Sequence, residues 1–159
     1  MKPASVNDIK QELKNRKPNE LVELCMRLAR YKKENKELLT FLLFEADDLP
    51  LYIQHVNEEI DEGFAHVNTS NVYFAKKTIR KVLRIANKHI RYTGSKTAET
   101  EILLHYLSCF RALDLSWQRS TALRNLYQSQ LKKIRAAIAT MHEDLQHDYL
   151  GELKRAEVE

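Results

Sequence analysis

Residues 75–91 read "AKKTIRKVLRIANKHIR". Apolar side chains recur at Ala75, Ile79, Val82, Leu83, Ala86 and Ile90. Their steps of three and four put them on one face of an α-helix, where a strand would need alternation. The stretch carries seven basic residues and no acidic one. Lys77, Lys81, Arg84, Lys88 and Arg91 also step by four and three, so they form a stripe on another side of the helix. Lys76 and Arg80 stand one turn apart and widen it. Like charges four residues apart repel by a few tenths of a kcal/mol per pair. A helix that repeats this either has a counter-charge or leaves its cations in solvent.

The preceding stretch has the opposite character. From Glu37 to Phe74 there is no lysine or arginine, and Glu37, Glu45, Asp47, Asp48, Glu58, Glu59, Asp61 and Glu62 give a net charge of −8. Residues 75–91 give +7, while the whole chain is only +4. Such segregation creates a strong local field. A short turn, "NTSN" at Asn68–Asn71, separates the two stretches, so their helices should be antiparallel neighbours. That arrangement would bring Glu58, Glu59, Asp61 and Glu62 near Lys76, Lys77 and Arg80. Glu45, Asp47 and Asp48 would lie toward Lys88 and Arg91. The stripe is therefore either neutralised internally or offered to an external anion.

The rest of the chain extends the helical pattern. Its 159 residues suit one domain with a sizeable core, expected over 1–150. Three glycines and three prolines are too few for the frequent turns of an all-β fold. Ser5 with Asp8 reads as a capping box opening a short helix to about Arg16. Pro18 starts a second, with Leu21, Leu24, Cys25, Leu28 and Ala29 on one face. "YKKENKE" predicts a break near Lys33–Asn35, against the competing reading of one helix to Ala46. "LLTFLLF", Leu38–Phe44, is apolar nearly all round and reads as the most buried segment. Pro50 opens a helix with apolar positions Ile53, Val56, Ile60, Phe64 and Val67, continuing through Gly63. After the basic helix and the "TGSK" break, another helix covers about Thr97–Leu113. A last one runs from about Gln118 toward Leu150. Gly151 and the polar end predict a frayed tail over 151–159. The expectation is all-α: six or seven helices in successive antiparallel hairpins, as a helical array or irregular bundle, resembling a solenoid only by architectural analogy.

Motif chemistry excludes more than it supports. No apolar run approaches the roughly 20 residues of a membrane span, and the N-terminus lacks the apolar stretch of a secretory signal. Cys25 and Cys109 have no ligand or redox spacing and read as buried reduced thiols, which suggests a cytoplasmic location. "HEDLQH" sets His142 and His147 five residues apart, about 140° around a helix, unlike a zinc-protease motif. Glu62 and His66, Glu101 and His105, and Glu143 and His147 are four apart, and Asp144 and His147 three. No Glu-x-x-His di-iron motif is present. The histidines read as surface or boundary residues, and no metal or cofactor is expected. There is no nucleophile elbow, glycine-rich phosphate loop or dinucleotide fingerprint.

The expected function is therefore a non-enzymatic interaction or scaffold module. Its working surface is Lys77, Lys81, Arg84, Lys88 and Arg91, presented to an acidic protein partner. The alternative is a nucleic-acid backbone binder using the same stripe, with Tyr73 and Tyr92 available for stacking and Asn87 as the one residue suited to a base edge. A third reading is an enzyme whose site lies in residues distant in sequence. The last helix, with Leu123, Leu126, Tyr127, Leu131, Ile134, Ile138, Met141 and Leu145 on one face, is the candidate surface for a homo-oligomer if the core leaves part of it uncovered.

Overall fold

A computed structural model describes residues 1–157. Among them are eight α-helices and no strand. The chain divides into two compact units, Met1–Phe44 and Glu45–Glu159.

The first unit holds α1 (Val6–Lys14), α2 (Pro18–Tyr31) and α3 (Lys33–Thr40), followed by a π-helical turn at Phe41–Glu45. The expected capping box opens α1: the Asp8 amide donates to Ser5 Oγ at 3.2 Å, and the Ser5 amide to Asp8 Oδ2 at 3.3 Å. The expected break falls at Lys32, which is extended, and Asn35 Nδ2 donates to the Leu28 carbonyl at 2.8 Å. That bond satisfies a carbonyl at the end of α2 and makes the break without glycine or proline. No residue of α1, α2 or α3 is buried. The buried reading of "LLTFLLF" is therefore corrected. Phe41 is buried, but Leu42, Leu43 and Phe44 are 55%, 62% and 79% exposed. A unit of this size has too little interior to enclose every apolar side chain it carries. Cys25 is likewise exposed, contrary to expectation.

The second unit contains α4 (Leu49–Ala65), α5 (Val72–Thr93), α6 (Lys96–Arg111), a 3-10 turn (Trp117–Arg119), α7 (Thr121–Ile138) and α8 (Glu143–Ala156). Asp48 caps α4 by accepting from the Leu51 amide at 3.1 Å, with Pro50 in the first turn. α4 continues through Gly63 because α5 needs the space: a β-carbon there would lie 2.5 Å from Val82 Cγ2. α5 ends on Gly94, whose φ of +58° is the left-handed cap that glycine adopts without strain.

α6 is the central helix, packed by α4, α5, α7 and α8. Its inward side is aromatic. Phe110 stands 5.1 Å from Trp117 and 5.5 Å from Tyr127, both edge-on, while Trp117 stacks on Tyr127 at 4.8 Å. The fully buried Tyr106 and Tyr127 each place a hydroxyl that burial would otherwise penalise. Tyr106 donates to the Ile79 carbonyl of α5 at 3.1 Å, and Tyr127 to the Ala156 carbonyl of α8 at 2.5 Å.

The expected single last helix is two. It breaks after Ile138, and His142 caps α8. The chain then folds back so that α8 packs on α6 and α7. Met141 and Leu145 thus leave the apolar line of α7, and Leu145 is exposed. Leu123, Tyr127, Leu131, Ile134 and Ile138 are buried inside the unit, while Leu126 and Met141 are half-buried. α8 passes through Gly151 and buries Leu153 and Ala156, where fraying from 151 was expected. Of that tail, Val158 and Glu159 lie outside the described residues.

Candidate functional site

α5 begins where Asn71 Oδ1 accepts from the Tyr73 and Phe74 amides at 3.0 and 3.2 Å. This cap fixes the helical phase, and the two sequence stripes separate as their spacing requires. Ala75, Ile79, Val82, Leu83 and Ala86 are buried, while Lys77, Lys81, Arg84 and Arg91 are exposed and Lys88 is half-buried. The stripe does not form one site. Lys77 and Arg84 join Lys76 and Arg80 along a groove of about 510 Å³. Leu83, Asn87 and Tyr73 also line it, and Leu126 of α7 closes one side. Lys81, Lys88 and Arg91 lie outside it. Spacing alone identified Lys76 and Arg80 only as widening the stripe; here they are as much part of the groove as Lys77 and Arg84.

Among the described residues, no carboxylate lies within ion-pair distance of Lys76, Lys77, Arg80, Lys81, Arg84 or Arg91. α4 is rotated so that its acids meet other groups. Glu59 Oε2 is 2.9 Å from His89 Nε2, and His89 Nδ1 is 2.7 Å from the Tyr52 hydroxyl. Glu58 accepts from Gln54 at 3.1 Å.

Asp61 turns away from α5 altogether and reaches α6. Its Oδ1 is 2.7 Å from His105 Nε2 and 3.2 Å from Cys109 Sγ, and the sulfur and the imidazole nitrogen are 3.6 Å apart. Burial alone would raise the Asp61 carboxyl, but hydrogen bonds from the Cys109 thiol and from His105 hold it below the usual range. Burial, with the neighbouring Asp61 carboxylate, pushes the Cys109 thiol up to about 12. A thiol so placed is a weak nucleophile at neutral pH. Glu101, the residue four before His105, instead accepts from the Tyr149 hydroxyl at 2.5 Å. The His105-x-x-x-Cys109 spacing is readable in the sequence, since residues four apart share a helix face. The third member, on a helix forty-odd residues earlier, carries no local signal.

His105 also borders a cleft of about 590 Å³ lined by α4, α6 and α8, with Asn57, Glu101, Arg111 and Tyr149 on its walls. Asn57 Oδ1 is buried and has no hydrogen-bond partner. Arg111 donates to the Arg155 carbonyl, tying the end of α6 to α8. No described helix is long and apolar enough to cross a membrane. Comparison with protein-family models, curated proteins and solved structures gives no match for this chain.

Proposed function

We propose that this chain is a non-enzymatic binding module that receives an acidic segment of a protein partner in the α5 groove. One observation carries the reading: Lys76, Lys77, Arg80 and Arg84 converge on a concave surface and, among the described residues, no carboxylate lies within ion-pair distance of them. Four cations gathered in this way repel one another, and an incoming anionic chain relieves that repulsion. Leu83 and Leu126 favour a peptide over a phosphate backbone, because they offer contact to an apolar side chain that a phosphodiester lacks. Lys81 and Arg91, exposed outside the groove, steer the partner's approach more than they hold it. The free thiols of Cys25 and Cys109 suit a reducing, cytoplasmic setting.

The test is a fluorescence-anisotropy titration of the full chain. The ligands are a labelled Glu/Leu-alternating peptide, a duplex DNA and a single-stranded RNA, each at rising salt. The peptide should bind most tightly, and Arg80→Glu with Arg84→Glu should weaken it roughly 10-fold or more, as lost contacts are replaced by repulsion. Preferential binding of the nucleic acids, with log K falling by about 0.9 per phosphate neutralised for each tenfold rise in salt, would establish backbone binding instead. If none of the three binds at low salt, both readings fail.

A further inference from the structure

Outside the groove, the only mixed cluster of strong ligand groups among the described residues is Asp61, His105 and Cys109. The three donors come from two helices. His105 and Cys109, one turn apart on α6, present nitrogen and sulfur on one face, and α4 delivers the carboxylate across the helix contact. We propose that Asp61, His105 and Cys109 form a site for a zinc-class divalent transition metal that clips α4 to α6.

The distances support this. A tetrahedral zinc with bonds of about 2.0 Å to nitrogen and oxygen and about 2.3 Å to sulfur sets its donors roughly 3.3 Å apart for N···O and roughly 3.5 Å apart for pairs involving sulfur. The observed separations are 2.7 Å for N···O, 3.2 Å for S···O and 3.6 Å for S···N. The nitrogen and sulfur already stand where the metal needs them, held by one rigid helix. Only the carboxylate must withdraw, by a few tenths of an ångström, and the Asp61 side chain is 56% exposed and has room to do so. The donor set selects the metal. One thiolate, one imidazole and one carboxylate suit zinc or cobalt and supply too few oxygens for calcium or magnesium.

A buried acceptor lies on the same helix, one turn from Asp61. Asn57 stands one turn before Asp61, and its buried Oδ1 has no partner, whereas nearly all buried acceptors do. Asn57 shares the wall of the cleft with His105. A fourth ligand, water, bound on the cleft side would give Asn57 Oδ1 its missing donor.

Loading is balanced by proton release. The divalent ion takes the place of the thiol proton on Cys109, the sulfur–metal bond forms, and one proton leaves to solvent. The His105 proton moves from Nε2 to Nδ1, which frees the Nε2 lone pair.

The experiment titrates Co²⁺ into the full-length Cys25→Ser chain under a non-chelating reductant, with Zn²⁺ competition and a proton-release indicator. The expected result is a single tight Co²⁺ with a near-ultraviolet thiolate-to-cobalt charge-transfer band, displaced by Zn²⁺, and about one proton released per metal. Cys109→Ser should abolish the band. Asp61→Asn and His105→Ala should each weaken binding by more than the 10–100-fold typical of losing an outer-shell group. Asp61 is on the surface, so its variant folds even if a variant at Cys109 does not. The proposal is overturned if the Cys25→Ser chain shows no band at millimolar Co²⁺. It is equally overturned if the band survives Cys109→Ser, or if Asp61→Asn binds as tightly as its parent.

Discussion

Replacing Gly63 with alanine puts a methyl group into the closest approach of α4 and α5. The new β-carbon would lie 2.5 Å from Val82 Cγ2 and 3.4 Å from Cγ1, against an optimum of about 3.5–4.0 Å for carbon pairs. The overlap of roughly 1 Å cannot be relieved by side-chain rotation. Val82 is 1% exposed and β-branched within a helix, where a single rotamer dominates. The two helices must move apart, an overpacking that costs about 2 kcal/mol. Alanine recovers about 1 kcal/mol of helix propensity. Gly63→Ala should therefore lose about 1 kcal/mol net. Val82→Ala alone leaves a small cavity and loses about 2 kcal/mol. Adding Gly63→Ala to Val82→Ala removes the clash, leaves only the propensity gain, and should restore about 1 kcal/mol. Urea denaturation of the four chains, followed by far-ultraviolet circular dichroism, measures the cycle, with an expected coupling of about 2 kcal/mol. If Gly63→Ala shifts stability equally in both backgrounds, the helices are not held together at that point and the account of the α4–α5 contact is wrong.

Two further outcomes follow from the same packing. Asn71→Ala removes the side chain that accepts from the Tyr73 and Phe74 amides, and should cost about 1 kcal/mol in urea denaturation, with most of it restored by Asn71→Asp. Burial raises the Tyr106 hydroxyl well above the ordinary phenol, so its contribution is fully present below about pH 10 and is lost as pH rises further, where the unfolded chain gives up the proton that the fold retains. Tyr106→Phe should lose about 1 kcal/mol at neutral pH, because the Ile79 carbonyl loses its donor, and should show a shallower alkaline decline in the same assay.

Local signals read the helices well where a side chain adjoins the backbone it caps. Ser5 with Asp8, Pro50, and the turn ending at Asn71 are such cases, and the starts of α1, α4 and α5 fall where these residues suggested. The errors came where tertiary contacts decide. "LLTFLLF" has the composition of a core helix, but burial depends on what surrounds a segment, and composition does not report that. The "ATMH" break between α7 and α8 contains neither glycine nor proline. It exists because folding back lets α8 bury Leu153 and Ala156 against the second unit. The site divides in the same way. The spacing of Lys77 and Arg84 is a property of one helix and was legible. The partners of Glu59 and Asp61 depend on the rotation of α4 about its own axis, which a pattern of charges does not fix.

α6 has a mechanical consequence. Four neighbours cover it, so a fluctuation that peels away any one of them leaves it sheltered by the rest, and its amides become open to exchange only when the whole unit unfolds. His105 and Cys109 ride on the same stiff rod as Tyr106 and Phe110. A pull on the outer pair should therefore reach the aromatic interior as a rigid displacement, and the Tyr106 hydroxyl that donates to the Ile79 carbonyl links that displacement to α5.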